Sequence, residues 1–266
     1  MEDAGLVELF FRRRWPDGFV CPGCGHRSFS TIRTRRLPLY ECRFCGKQTT
    51  VTAGTVMDKT RTPLAKWAAA IETLASSSGL NAKQLACAIG ASHKAAWLML
   101  RKFRQAIGEA EAAMKLRGEV HTGLEIMAPK YIFIFLPHRR YRCERVVAVS
   151  ASIGADGSPN ELKLSHVPPE LLVPGQKEPT AYGKSQVISS HTQKDADCSW
   201  LAPQRMDHSP LRHCVLEARS WMNRLFYGVA SKSLQTCLDE FCFRWNVAAR
   251  GSSPVEDWYR ICFFTA

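Results

Sequence analysis

Four cysteines stand in two tight pairs, Cys21-Pro22-Gly23-Cys24 and Cys42-Arg43-Phe44-Cys45, with 17 residues between them. Cysteines three apart can turn both sulfurs toward one point, and a second such pair closes a tetrahedron around a metal ion. A redox C-x-x-C would occur once, beside a βαβ pattern. The repeat at this spacing predicts a zinc ribbon with Cys21, Cys24, Cys42 and Cys45 as ligands. Four thiolates leave no open position for a catalytic water, so the ion is expected to be structural. Gly25 and Gly46 follow the pairs, where the lack of a Cβ lets backbone amides turn in toward the thiolates. His26 reads as a surface side chain. The stretch SFSTIRTRRLPLYEC between the pairs is rich in β-formers, as the hairpin of a ribbon requires.

A second chemistry is cationic. Arg33, Arg35, Arg36, Arg43 and Lys47 cluster on the same module, and Arg12, Arg13 and Arg14 precede it. They form a candidate phosphate-contacting face. Over the 266 residues, 36 Lys and Arg stand against 24 Asp and Glu, a net charge of +12. An excess of this size favours nucleic acid as partner, ahead of an anionic membrane surface. No run of 18 apolar residues occurs, so no transmembrane helix is expected. The opening MEDAGLVELFFRRRW lacks the order of a secretory signal, which suggests a cytoplasmic protein. The remaining seven cysteines are scattered and read as small buried hydrophobes.

Elements must position these groups. In TPLAKWAAAIETLASSS, Thr62 reads as an N-cap with Pro63 at the first helical position. Leu64, Trp67, Ile71 and Leu74 mark one buried helical face. Asn81 caps a short helix that Gly90 ends, and Ser92 caps a longer one whose inner face is Ala96, Met99, Leu100 and Phe103. A helix, a short turn with glycine and a second helix is the helix-turn-helix pattern. Its second helix would present His93, Lys94 and Trp97 to base edges, with Arg101, Lys102 and Arg104 nearer phosphates. Beyond Arg117, KYIFIFL and ERVVAVSASI read as buried strands. The turn 154–157 joins the latter to ELKLSHV as a hairpin. Residues 173–200 show no clear period, and LRHCVLEARSWMNRLF and SLQTCLDEFCFRW return to helix.

The runs RWPDGFVCPGCGH, YECRFCGKQTTVTAGTVMDKTRTPLAKW and LASSSGLNAKQLACAIGASHKAAWLMLRKFRQAI, with YGVASKSLQTCLDEFCFRWN near the end, are similar to a known group. They resemble bacterial insertion-sequence transposases with an N-terminal zinc ribbon and an ISXO-two-like catalytic domain. The resemblance covers residues 9–118 well and 209–246 fairly. It implies a ribonuclease-H-like, DDE-type domain in which acidic residues hold two Mg²⁺ ions for DNA cleavage and strand transfer. It also implies double-stranded DNA as partner, in the form of insertion-sequence inverted repeats, and self-association into a homo-oligomer.

At the catalytic positions the chain departs from the family. Gly123 stands where the first aspartate belongs, with Glu119 and Glu125 out of register. Before the Ala181-Tyr182 pair, where the second is expected, the chain has Lys177 and Glu178. For the third position it supplies His213, Glu217 and Arg219. Two of three acidic positions are thus lost, which implies impaired catalysis. A shifted reading frame, insertions or deletions over 119–207 would give this pattern.

The expected architecture is multidomain α+β. It comprises a zinc ribbon (1–60), a helix-turn-helix segment (61–117), a degenerate α/β ribonuclease-H-like domain (118–250) and an atypical tail (251–266). The expected function is binding of insertion-sequence ends for DNA transposition. The alternative is a non-catalytic DNA-binding remnant or regulator.

Overall fold

Helix α1 (Ala4–Arg14) precedes a three-stranded antiparallel sheet of β1 (Phe29–Ile32), β2 (Leu39–Cys42) and β3 (Gln48–Thr49), in that order. The structure, a computed structural model, describes residues 4–127, 144–226, 229 and 231–263. The hairpin between the cysteine pairs forms as the residues require, with Phe29 opposite Cys42 and Ile32 opposite Leu39. So small a module cannot build an aliphatic core. It packs rings instead: Trp15, Phe19, Phe29 and Tyr40 meet at centroid distances of 4.8 to 6.3 Å. Each ring buries a large area at little entropic cost.

Three helices follow, α2 (Leu64–Ser76), α3 (Ala82–Ile89) and α4 (His93–Ala113). The expected inner faces are buried: Leu64, Trp67, Ile71 and Leu74 on α2, and Ala96, Met99, Leu100 and Phe103 on α4. Asn81 makes a reciprocal capping box with Gln84, at 3.0 and 2.9 Å, which satisfies two orphan amides at the start of α3. Gly90 closes α3 in the left-handed region at φ 58, where glycine escapes the Cβ clash of other residues. The Lys66 ammonium then caps the freed carbonyls of Ile89 and Gly90, at 2.5 and 2.9 Å. Ser92 Oγ accepts from the Ala95 amide at 3.2 Å. The start of α2 differs by one residue from the sequence expectation. Pro63, not Thr62, holds the cap position, with extended ψ of 149 and no side-chain cap.

The next strands are β4 (Glu119–Met127), β5 (Arg145–Ile153) and β6 (Pro159–His166). The expected KYIFIFL strand lies outside the described residues, whereas the hairpin around 154–157 is present. Residues 173–200, which carry no clear period, contain helix α5 (Ala181–His191) and strand β7 (Asp197–Trp200). Thr180 caps α5 by accepting from the Gly183 amide at 2.9 Å. Helices α6 (Pro203–Met206), α7 (Pro210–Phe226) and α8 (Ser231–Ala249) complete this part.

The sheet order is β6-β5-β4-β7, antiparallel except for the parallel pair β4 and β7. Alternate residues of β5 face opposite sides: Val147, Val149 and Ala151 join α7 and α8 in one cluster, while Val146 and Ala148 join Val187 of α5 in another. This double burial explains the apolar run over 146–149 within β5.

Strand β6 lies at the edge of this sheet, and α8 seals it. The Asn246 amide bonds both the N–H and the C=O of Leu162, at 2.7 and 3.0 Å. Gln235 does the same for the His166 N–H and the Leu164 C=O, at 2.8 and 3.2 Å. Two side chains thus stand in for a missing strand and blunt an edge that would otherwise pair with other chains.

The last helix, α9 (Pro254–Phe263), packs on α1 and α2. Tyr259 meets Phe10 edge-on at 5.8 Å, Trp258 meets Phe103 at 5.5 Å, and the Cys262 carbonyl accepts from the Val56 amide. The chain therefore divides into two compact units, Met1–Ala106 with Ser253–Ala266, and Ile107–Ser252. Helix α9, from the tail, belongs to the first unit.

Candidate metal centre and nucleic-acid interface

The four ribbon thiols converge to within 4.8 Å of one another. Cys21 and Cys45 Sγ are 3.6 Å apart, as are Cys24 and Cys42. A zinc tetrahedron with Zn–S bonds of about 2.3 Å has sulfur edges of about 3.8 Å, so the set fits that ion with little adjustment. Two matching turns build it. In each, the first cysteine's amide donates to the carbonyl five residues on (His26, Lys47), and the glycine's amide donates back to the cysteine's carbonyl. Gly25 and Gly46 take positive φ, 75 and 69, to close these turns.

The electrostatics are compatible with a bound cation. Desolvation raises the Cys21 thiol, but the amides of Gly23 and Cys24 and the neighbouring thiols outweigh it, and its pKa falls to about 6. For Cys24 the His26 amide lowers the pKa, and desolvation with the other three thiols raises it to about 12. One thiol ionises readily and the next resists, which a divalent ion would relieve. Among the described residues no other group of three or more histidine, cysteine or acidic side chains converges in this way.

The cationic residues distribute over the surface of the first unit. Arg33, Arg35 and Arg43 are exposed on the ribbon. Arg36 is exposed too, with its guanidinium donating to the carbonyls of Thr60 and Arg61 at 3.3 Å. On α4, His93, Lys94 and Arg101 are exposed, and Arg101 lies over the Trp97 ring at 5.8 Å. Trp97 is 49% exposed and its neighbour Leu98 41%. Lys102 differs from the others. It donates to the Asp58 carbonyl at 2.7 Å, and partial burial lowers its pKa.

The residues expected at the catalytic positions do not converge as a metal-binding group among the described residues. Gly123 is buried within β4, opposite Val149, and a Cβ there would stand 2.5 Å from Met206 Sδ. Met206 fills the space that an aspartate would need. Lys177 pairs with the buried Glu144 at 2.8 Å, and Glu178 accepts from the Val173 amide through its carbonyl. His213 and Glu217 are bonded to each other on α7 at 2.9 Å, both largely exposed, and Arg219 follows one residue after Ala218. Glu119 holds His121 at 3.1 Å, and Glu125 lies 3.9 Å from Arg212, which also binds Asp207. These groups do not fit a pair of Mg²⁺ ions, which need several carboxylate oxygens aimed at one point.

Two features carried no sequence signal. Phe11, Phe29 and Tyr40 gather beside the ribbon arginines, joined by α1 and the hairpin. In the second unit, a cavity of about 320 Å³ is lined by Glu111, Lys163, Asp239, Cys242 and His191. Desolvation first, partly offset by Lys163, raises Glu111 to about 7; desolvation raises Asp239 to about 6. Behind it, Ser150 and Ser165 hydroxyls bond the two ring nitrogens of His191 at 2.8 and 2.7 Å. Burial, with the charge of Lys163, lowers His191 to about 3 and keeps it neutral.

Residues 2–48 match the family model described as a transposase zinc-ribbon domain. The match holds all four cysteines together with β1 and β2, and it covers under a fifth of the chain. No curated protein and no solved structure matches. Among the described residues, no helix is long and apolar enough to cross a membrane.

Proposed function

We propose that this protein is a transposase-family DNA-binding protein that recognises the inverted repeats of an insertion sequence and has impaired strand cleavage. The observation that carries this is the convergence of four thiols inside a segment similar to transposase zinc ribbons. Zinc would fix the ribbon fold and hold the exposed Arg33, Arg35 and Arg43 against phosphates. The α3–α4 pair would act as a helix-turn-helix, with His93, Lys94 and Trp97 toward base edges and Arg101 toward the backbone. The second unit, a mixed sheet covered on both faces, would be the degenerate ribonuclease-H-like domain. Among its described residues no carboxylates converge, which favours the non-catalytic alternative, a regulator that occupies element ends without cutting them. A homo-oligomer would let it hold two ends together.

The test is binding of the zinc-loaded chain to duplexes carrying the element's ends, across a salt series. Expected is affinity falling steeply with salt, with log K dropping by about 0.9 per phosphate contact for each log unit of salt. Replacing Arg43 or Arg101 should flatten that slope. Nicking in Mg²⁺ should be absent, and Glu217→Ala should change nothing. Salt-independent binding, or Mg²⁺-dependent cleavage abolished by Glu217→Ala, would overturn the respective halves of the proposal.

A further inference from the structure

The ribbon carries a concavity of about 430 Å³ between α1 and the β1–β2 hairpin. This lies within the range of about 300–1,000 Å³ typical of small-ligand sites. Its lining divides sharply by chemistry. Phe11, Phe29, Pro38 and Tyr40 supply apolar and aromatic walls, and Arg33 and Arg35 stand at it with exposed guanidinium groups. Phe11, Phe29 and Tyr40 touch one another at centroid distances of 5.0 to 5.9 Å. Phe11 and Phe29 are only half-buried, so each ring leaves part of its surface to the concavity. No acidic side chain engages Arg33 or Arg35 among the described residues. Among the described residues the one carboxylate lining the site, Glu8, is already paired with Arg12 at 2.7 Å.

The geometry points to a pocket for one unpaired DNA nucleotide, its base against the aromatic wall and its flanking phosphates on Arg33 and Arg35. Phosphate contacts alone need no concavity and no rings, because a duplex backbone is met by cations on an open surface. A paired base, conversely, lies inside its stack and cannot enter a pocket. A base freed from pairing presents a planar face that every aromatic ring can stack on, and arginines track the strand on either side. The combination found here is therefore matched to single-stranded or flipped nucleotides, not to duplex. The inference rests on the DNA-binding reading above and adds capture of an unpaired nucleotide by the ribbon.

The full-length, zinc-loaded chain would be titrated with a paired duplex and with the same duplex carrying one unpaired 2-aminopurine. Loss of a base stack costs roughly 1–3 kcal/mol, or about five- to 150-fold in affinity. The unpaired duplex should therefore bind at least about five-fold more tightly, with quenching of the 2-aminopurine fluorescence as it stacks. Thr31→Trp fills the pocket from an exposed strand position, and Arg35→Ala removes one phosphate partner. Both should abolish or halve the preference while zinc content, measured alongside, stays at one ion per chain. Equal binding of both duplexes with unchanged fluorescence would overturn the pocket and leave duplex recognition standing. Failure to bind either duplex would overturn both readings.

Discussion

Glu111 is buried where its carboxylate form is disfavoured, and Glu111→Gln should show it. The carboxylate is 6% exposed, in the last turn of α4, where the helix dipole already disfavours an anion. Its Oε2 is buried with no hydrogen-bond partner. The nearby Lys163 ammonium donates instead to the backbone carbonyls of Glu111 and Met114. The folded pKa is about 7, against an ordinary value of 4.5. At 1.36 kcal/mol per pKa unit, that difference corresponds to roughly 3 kcal/mol of instability above pH 7.

The sign follows from proton affinity. The folded state binds this proton more tightly, so its stabilising effect is complete below about pH 4.5 and is lost as pH rises through 7. Gln keeps the shape and has no charge to desolvate. Lys163 loses a favourable neighbour in exchange, which reduces the expected gain to about 2 kcal/mol. Urea titration read by hydrogen exchange in peptides of β5 and β6 isolates the second unit. The variant should be more stable than the parent at pH 8 and nearly equal at pH 5. Destabilisation of the same size at both pH values would refute the reasoning, and would mean that the carboxylate is a net stabilising partner of Lys163.

Three further outcomes are expected. Asn246→Ala leaves the Leu162 N–H and C=O unpaired beneath α8; at about 1–3 kcal/mol per buried orphan group, it should lower the stability of the second unit by roughly 2–4 kcal/mol, and an unchanged urea midpoint would count against the edge seal. Chelation of zinc should release one ion per chain and collapse amide protection over 19–49, with Cys24→Ser abolishing retention of the ion altogether; full protection after chelation would refute a structural role. Gly90→Ala must take φ 58 and crowd Lys66 Nζ at 3.2 Å, so it should lower the melting temperature of the first unit by an amount equivalent to about 1 kcal/mol, and a stabilised variant would show that α3 does not end in the left-handed turn.

What could be read from the residues was set by short-range rules. Cysteine spacing defined the ligand set, because two thiols three apart meet wherever a knuckle turn can form. Asn81, Gly90 and Ser92 marked the ends of α3 and α4, because caps are satisfied within a few residues. The run at β5 announced a buried strand, and the structure buries it on both faces. Other features depended on residues far apart in the chain. Helix α5 and strand β7 were illegible because a polar segment shows no period when only Gly183, Val187 and His191 of its helix are buried. The tail read as atypical, since Trp258 and Tyr259 find Phe103 and Phe10 only after the chain returns. The aromatic pocket needs α1 laid against a hairpin some 20 residues on, and the strained Glu111 needs Lys163 and Asp239 from two other elements. Local chemistry depends on neighbours along the chain, whereas a shifted pKa or a concavity is a property of groups that only packing brings together.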